Sequence, residues 1–272
     1  MNILIVYNPQ KDIGLKIAED VSNFLVKLGV NTKIVKFNKT REIEIEDIYK
    51  IAVVIGGDGT ILKVAKSAAM VDCAVLGINA GRLGYLASAN IDNFDILKRL
   101  VTGDYTVQPR MMLKADKIID GKVIESFDCL NDAVISKDSL SNVIDIVLKI
   151  SNDTIAYRAD GIIAATPTGS TAYSLSAGGP VVDPSLNCII LTPVCPHTLV
   201  TRSMVVDGNT PISISLNYNY KTHIHLSCDG RKAFELDNHS SVNISVSDIS
   251  AKFIKLNDVS VYKILSQKTD NY

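Results

Sequence analysis

The sequence predicts two domains, an N-terminal α/β domain followed by an all-β sandwich, so the chain is α+β overall. Three observations carry that expectation. About the first hundred residues alternate short apolar runs with segments of helical period. From about Tyr105 the period becomes that of strands. Asp120-Gly121 and Asp229-Gly230 punctuate those strands as two-residue hairpin signals.

The elements follow in order. Asn2 to Tyr7 is a strand, and Ile17, Val21, Phe24, Leu25 and Leu28 lie at helical spacing until Gly29 ends that helix. Thr32 to Phe37 is the next strand. Ile51 to Ile55, entirely apolar, reads as a buried one. Thr60 is placed to N-cap a helix from Ile61 to Met70 that carries Ile61, Leu62, Val64, Ala65, Ala68 and Ala69. Val75 to Ile78 is a further buried strand, and a helix from Asn90 to Val101 presents Phe94, Leu97, Leu100 and Val101. Such alternation implies a parallel sheet with right-handed crossovers, a Rossmann-like domain whose ligands bind beyond the carboxyl ends of the strands. In the second half, strands are expected at Met111 to Ile119, Val123 to Leu130, Ser141 to Ser151, Thr154 to Tyr157, Pro211 to Leu216, His223 to Ser227 and Val242 to Val246. The boundary lies near Gly103, giving domains 1–102 and 103–257.

Composition narrows the function classes. With 272 residues, 47% apolar and 21% charged, the chain has the balance of a soluble globular protein. A net charge of −1 supplies no field for nucleic acid. The apolar run Ile3 to Tyr7 is too short for a signal-peptide core or a membrane span, so a cytoplasmic protein is expected. Cys73, Cys129, Cys188, Cys195 and Cys228 are dispersed, with no C-x-x-C pair, which argues against disulfides and zinc. His223 and His225 would share one face of a strand, but no third metal ligand of suitable spacing accompanies them.

The most informative segment is IAVVIGGDGT, Ile51 to Thr60. Strand, glycine turn and helix N-terminus make an anion site, with Gly56, Gly57 and Gly59 free to take positive φ and to let a ligand approach the backbone. Asp58 inside that turn repels phosphate, so it helps only by binding a metal or taking a proton. That contradiction points to phosphoryl transfer onto a hydroxyl. The turn lacks the Lys-Ser/Thr of a Walker A loop and is not the G-x-G-x-x-G fingerprint. Two further elements carry chemistry. Tyr157 to Pro184 runs from a strand at Gly161 to Ala165 into the hydroxyl-rich Thr166-Pro167-Thr168-Gly169-Ser170-Thr171, with a short helix at Ala172 to Ala177. It suits ribose hydroxyls and pyrophosphate, or is an ordinary Ser/Thr turn. Asn131-Asp132 matches an adenine edge and ribose hydroxyls, or is a turn. Arg158 and Asp160 could form an ion pair at a strand end.

Together these elements resemble the NAD kinase family over nearly the whole chain. The motifs are GGDGT at Gly56 to Thr60, the Asn-acid pair at Asn131, the DG...TPTGSTAYSLSAGGP block and PHTL at Pro196 to Leu199, all in the family's order. GGDGT alone is shared with diacylglycerol kinase, sphingosine kinase and phosphofructokinase relatives; the long block is specific. The resemblance implies transfer of the γ-phosphate of ATP, with Mg²⁺ or another divalent cation, to the 2′-hydroxyl of the adenosine ribose of NAD. Polyphosphate is an alternative donor. It also implies that the chain end, Val259 to Lys268 within about 258–272, returns to the first domain, and that the protein is a homo-oligomer, commonly a tetramer.

By position, the resemblance makes Asp58 the proton acceptor and sets Gly59 against the nucleotide, in a phosphate loop of Gly56, Gly57, Gly59 and Thr60. Tyr85 in GRLGYL borders the adenine. Asn131 and Asp132 hold the adenosine and a ribose. Arg158, Asp160, Thr171, Ala172, Tyr173, Ser174, Leu175 and Ser176 line the rest of the NAD site, with Tyr173 as an aromatic wall. Asp132 stands where most members have Glu, and Ala159 where many have Gly. No protein cage for a metal is expected. The competing expectations are a lipid kinase using the same turn, which needs an apolar entry for an acyl chain, and a non-catalytic dinucleotide sensor.

Overall fold

The computed structural model describes residues 1–10, 14–79, 84–90, 94–138, 142–197, 202–217, 222–237, 239–256 and 261–269. It divides into two compact units, Met1–Arg110 with Ile249–Tyr272, and Met111–Asp248. The divisions fall inside two long strands, rather than near Gly103 and about 258. The change of period marks where the first of these strands begins, but its opening residues still belong to the first unit.

In the first unit, β1 (Asn2–Tyr7), α1 (Gly14–Lys27), β2 (Asn31–Lys36), β3 (Ile51–Ile55), α2 (Asp58–Ala69) and β4 (Ala74–Asn79) follow one another. Their strands are parallel in the order β2-β1-β3-β4. Lys252 and Phe253 extend the sheet by pairing in parallel with Ala74 and Val75. Strand side chains alternate between faces. Ile3, Ile5, Val53, Leu76 and Ile78 therefore share one face, against Ile17, Val21 and Leu25 of α1. Gly77 lies on the other face, where an added Cβ would fall 2.7 Å from Ile61 Cδ1 of α2. Helices on both faces explain why β3 and β4 are buried throughout.

Two local expectations fail here. Beyond β5 (Ala89–Asn90) the helix expected from Asn90 is shorter: Phe94–Leu97 forms a 3₁₀ turn and α3 covers only Lys98–Thr102. Gly103, at φ 76°, ends it with a left-handed cap. Thr60 does not cap α2, which begins two residues earlier with Gly57 at the N-cap. Thr60 is buried in the first turn instead. The C-terminal α5 (Val261–Thr269) belongs to the first unit, with Ile264 buried; Val259 and Ser260 lie outside the described residues.

The long strand β6 (Thr106–Ile119) leads into the second unit, followed by β7 (Lys122–Cys129), β8 (Asp132–Lys137), β9 (Ile144–Ile150), β10 (Asp153–Ala159), β11 (Gly161–Ala165) and α4 (Tyr173–Ser176). Then come β12 (Cys188–Val194), β13 (Met204–Asp207), β14 (Ile212–Asn217), β15 (Ile224–Cys228), β16 (Arg231–Leu236) and β17 (Ser240–Lys255). Asp120 and Gly121, at φ 50° and 75°, turn β6 into β7 with Ile119 opposite Lys122. Antiparallel strands β10-β9-β14-β17 form one layer and β13-β12-β11-β8-β15-β16 the other. Ile144, Ile146, Leu148, Ile212, Ile214 and Val242 of the first layer meet Ile135, Ile162, Ile189, Leu191 and Leu226 of the second in one core. The outer face of the second layer is apolar too: Val134, Ile163, Ala165 and Ile190 are covered by Val182, with Ala177 packed alongside. The segment after β11 is thereby held flat on the sheet.

Candidate active site

The glycine turn follows the carboxyl end of β3. Its backbone is tied to both neighbouring strands: Asn8 N donates to Ile55 O (3.0 Å) and Gly56 N to Ile78 O (3.0 Å). Asn8 Nδ2 also donates to Thr60 Oγ1 (2.9 Å), which is what turns Thr60 inward. None of Gly56, Gly57 and Gly59 takes positive φ, contrary to the expectation from their type. They serve contact instead. A Cβ on Gly56 would meet the Thr60 Cβ at 2.9 Å, while Gly57 and Gly59 face open space and leave the backbone bare.

Asp58 is the first residue of α2, yet no side chain caps this helix. Its carboxylate turns away and accepts from two backbone amides, Tyr85 N at Oδ2 (2.9 Å) and Leu86 N at Oδ1 (3.1 Å). A carboxylate has about four lone-pair sites, so each oxygen keeps one for another donor. Gly84 makes this possible, since a Cβ there would lie 2.0 Å from Asp58 Oδ1. Tyr85 borders this carboxylate; burial, and then the charge of Asp58, push its phenol above the ordinary range. Gly81, Arg82 and Leu83 of the GRLGYL stretch lie outside the described residues.

In the second unit, Asn131-Asp132 and the Thr166 block come together at one end of the β8–β11 pair, where Ala165 stands opposite Asp132. Thr166 N donates to Asn131 O (2.8 Å), and Thr166 Oγ1 to Leu130 O (2.6 Å). Gly169 permits the close approach: its Cβ would sit 2.0 Å from Asn131 O. Asp229, in the β15–β16 turn, closes the other side by accepting from Leu130 N (3.0 Å), Asn131 N (2.7 Å) and Asp132 N (3.2 Å). The backbone is thus fully engaged. Among the described residues, neither the Asn131 nor the Asp132 side chain has a hydrogen-bond partner. Asp132 is nonetheless only 5% exposed. Burial, with a smaller contribution from the Asp229 charge, pushes its carboxyl up to about 7.

The remaining expected residues divide. Tyr173 (46% exposed) and Leu175 (37%) project outward, and Ser176 is exposed, whereas Ser174 is fully buried and its Oγ lies 2.9 Å from Thr192 Oγ1. Thr171 and Ala172 are half-buried. The short helix spans Tyr173–Ser176 rather than Ala172 to Ala177, because Ala172, at φ −101° and ψ −127°, breaks from the preceding Gly169–Thr171 turn. Arg158 and Asp160 do not pair with each other. Arg158 bonds Asp145 across the β9–β10 ladder (2.7 Å), and Asp160 faces Lys137 (3.4 Å). Asp160 precedes β11 and Thr166 follows it, so Asp160 and Asp132 flank opposite ends of a five-residue strand. Such a strand is roughly 17 Å long.

The Asp160 end also carries the histidines. His225 Nε2 lies 3.1 Å from Asp138 Oδ1, and His223, just ahead of β15, puts Nδ1 2.6 Å from Glu235 Oε1. Each faces its own carboxylate, and among the described residues no three His, Cys, Asp or Glu side chains form a metal-sized group. Of the PHTL stretch, Thr198 and Leu199 lie outside the described residues; His197 N donates to Arg158 O (2.9 Å).

Comparison with known proteins decides the family. Residues 31–105 match the ATP-NAD kinase N-terminal domain and residues 130–256 the ATP-NAD kinase C-terminal domain. An NAD kinase of Clostridium botulinum is 37% identical over 274 residues, covering 98% of this chain and 95% of its relative. The chain belongs to the NAD kinase family. An NAD kinase of Symbiobacterium thermophilum is 40% identical over 218 residues, 79% of this chain and 77% of that one. The fold agrees with a crystal structure of an Archaeoglobus fulgidus NAD kinase in complex with ATP, at a TM-score of 0.76 and 26% identity, over 99% of this chain and 98% of the other. The α/β-plus-sandwich architecture is therefore that of NAD kinases, and the chain is an ATP-dependent enzyme that phosphorylates NAD. The lipid-kinase and sensor alternatives fall with that result. Two positions that the sequence left without a site role, Gly84 and Asp229, hold the candidate residues Asp58, Asn131 and Asp132 through contacts distant in the chain.

Proposed function

We propose that Asp58 accepts the proton of the adenosine 2′-hydroxyl of NAD as that oxygen attacks the γ-phosphorus of ATP. The O–P bond to the ribose forms, the bond from the γ-phosphorus to the bridging oxygen breaks, and ADP leaves. The observation that carries this assignment is the Asp58 carboxylate itself, withheld from capping α2 and aimed by the Tyr85 and Leu86 amides with lone pairs to spare. Phosphoryl transfer needs positioning and charge stabilisation more than covalent help, and two amides give the acceptor a fixed direction. The donor is ATP carrying Mg²⁺ or another divalent cation, whose charge replaces that of a Walker lysine. Gly57 and Gly59, open to solvent, are the backbone against which its phosphates lie.

Asn131 and Asp132 take the adenosine and a ribose, because their backbones are held and their side chains are not. Tyr173 and Leu175 supply exposed apolar surface for the rest of the dinucleotide. The strand-length separation of Asp132 from Asp160 supports a homo-oligomer, with a second copy bringing its Asp160 to the dinucleotide; the tetramer common in the family fits this. Four of the five free cysteines are buried, as suits the reducing cytoplasm, and among the described residues no helix is long and apolar enough to cross a membrane. Asp58→Asn tests the central assignment. NAD affinity should persist while turnover falls by roughly 10² or more; turnover near that of the unaltered enzyme refutes the role. Polyphosphate, substituted for ATP in the same assay, tests the second donor.

A further inference from the structure

Three consecutive backbone amides, those of Leu130, Asn131 and Asp132, converge on one carboxylate that is 97 to 99 residues away in sequence. Oδ1 of Asp229 accepts the Asn131 and Asp132 amides at 2.7 and 3.2 Å, and Oδ2 the Leu130 amide at 3.0 Å. In return, Asp229 N donates to Asp132 O at 2.9 Å. The carbonyls of Leu130 and Asn131 are already fixed by Thr166. A peptide held at both its N–H and C=O groups cannot rotate, so the directions of the Asn131 and Asp132 side chains are set from outside the dipeptide. The strand ladder does not explain this. Residues 130 and 131 precede β8, and without Asp229 their inward N–H groups would need another acceptor.

The turn alone does not require an acid at position 229. Asp229 sits in the left-handed region at φ 51°, followed by Gly230 at φ 73°. Asn or Gly would make the same two-residue hairpin. Only a carboxylate offers acceptors alone, enough for three donors at once. Its placement carries a cost, since it sets a negative charge near the buried Asp132, which a simple turn residue would not need to do.

Resting on the assignment of Asn131 and Asp132 to the NAD site, we propose that Asp229 is a positioning residue for NAD: its carboxylate clamps the three amides and so aims the Asn131 and Asp132 side chains at the dinucleotide. The clamp acts on binding of the acceptor substrate and touches neither reacting oxygen.

The test uses the full-length enzyme with Asp229→Asn and Asp229→Gly. Both residues tolerate φ 51°, so the hairpin survives and only the clamp is altered. Asn keeps one acceptor oxygen and Gly none. The expected result is a graded rise in KM and Kd for NAD, about tenfold for Asn and more for Gly. The KM for ATP and kcat at saturating NAD should stay within about threefold of the unaltered enzyme. A merely structural role would instead lower the melting temperature and the active fraction and leave KM for NAD unmoved. That outcome, in either folded variant, overturns the proposal. Asp132→Ala is measured alongside. If it raises KM for NAD while both Asp229 variants do not, the clamp alone is wrong. If it leaves KM for NAD unchanged, the underlying assignment fails and the clamp with it.

Discussion

The carboxylate of Asp58 lies over the bare Cα of Gly84, where a Cβ would fall 2.0 Å from Oδ1 and 2.6 Å from Oδ2. No substituent fits without moving the acid. The direction of the proposed proton acceptor is therefore set by a glycine 26 positions further along the chain, through the amides that follow it.

Gly84→Ala should consequently inactivate without unfolding. Gly84 is not in the left-handed region, so alanine strains no backbone there, and the atoms it displaces end a side chain that can swing aside. A shift of the acid by about 1 Å is enough to cost roughly 10² in turnover. Steady-state kinetics and calorimetric NAD titration on the purified variant check this. A kcat close to that of the unaltered enzyme would show that the amide cradle does not direct the reaction.

Gly84 and Asp229 show where sequence reading stops. The alternation of β1 to β4 with helices, and the Asp-Gly hairpins, were legible because they depend on residues within a few positions of one another. Asp120-Gly121 turns β6 into β7 by its own φ angles. Asp229-Gly230 reads equally well as a turn, but nothing nearby in sequence announces that its carboxylate serves amides almost a hundred residues earlier. Thr60 illustrates the converse. A threonine ahead of an apolar run signals an N-cap, yet the helix starts at Asp58 and the hydroxyl is claimed by Asn8, 52 residues away. The glycines of the turn are legible as special, but their reason is close contact and bare backbone rather than positive φ. The motif residues were recognisable as a set, whereas their division between opposite ends of β11 required the strand register.

The buried Asp132 should make stability fall with rising pH in the absence of NAD. Its folded carboxyl titrates at about 7, against about 3.9 for an unfolded aspartate. Below pH 4 both states are protonated and the group's contribution is fully present. Between about 4 and 7 the unfolded chain releases the proton and the folded one keeps it, so unfolding gains ground; above 7 the loss levels off. Asp132→Asn removes the titration. The melting-temperature difference between the unaltered enzyme and the variant should shift against the former from pH 4 to pH 8, by the equivalent of roughly 4 kcal/mol. Asp72, lowered chiefly by its hydrogen bond with Lys252, is common to both proteins and cancels. A pH-independent difference would place the carboxylate in a more polar setting than its burial implies.

Asp132 and Asp160 supply the sharpest test of assembly. In one chain they stand at opposite ends of β11, so in the homo-oligomer proposed above a dinucleotide that meets both draws them from two copies. Asp132→Ala and Asp160→Ala should each be severely impaired alone, since every composite site in either homo-oligomer lacks one acid. Mixed oligomers differ. A site that pairs the intact Asp132 of one copy with the intact Asp160 of the other is complete, and in a two-fold arrangement each mixed dimer holds one such site. Random reassembly from equal amounts should therefore restore roughly a quarter of full activity, for half the dimers are mixed and half their sites intact. Co-expression with two affinity tags, followed by purification of the doubly tagged species, should raise this to about half. Activity that stays at the level of the single variants in the doubly tagged species would mean that both acids act within one chain, or that Asp160 serves only its contact with Lys137.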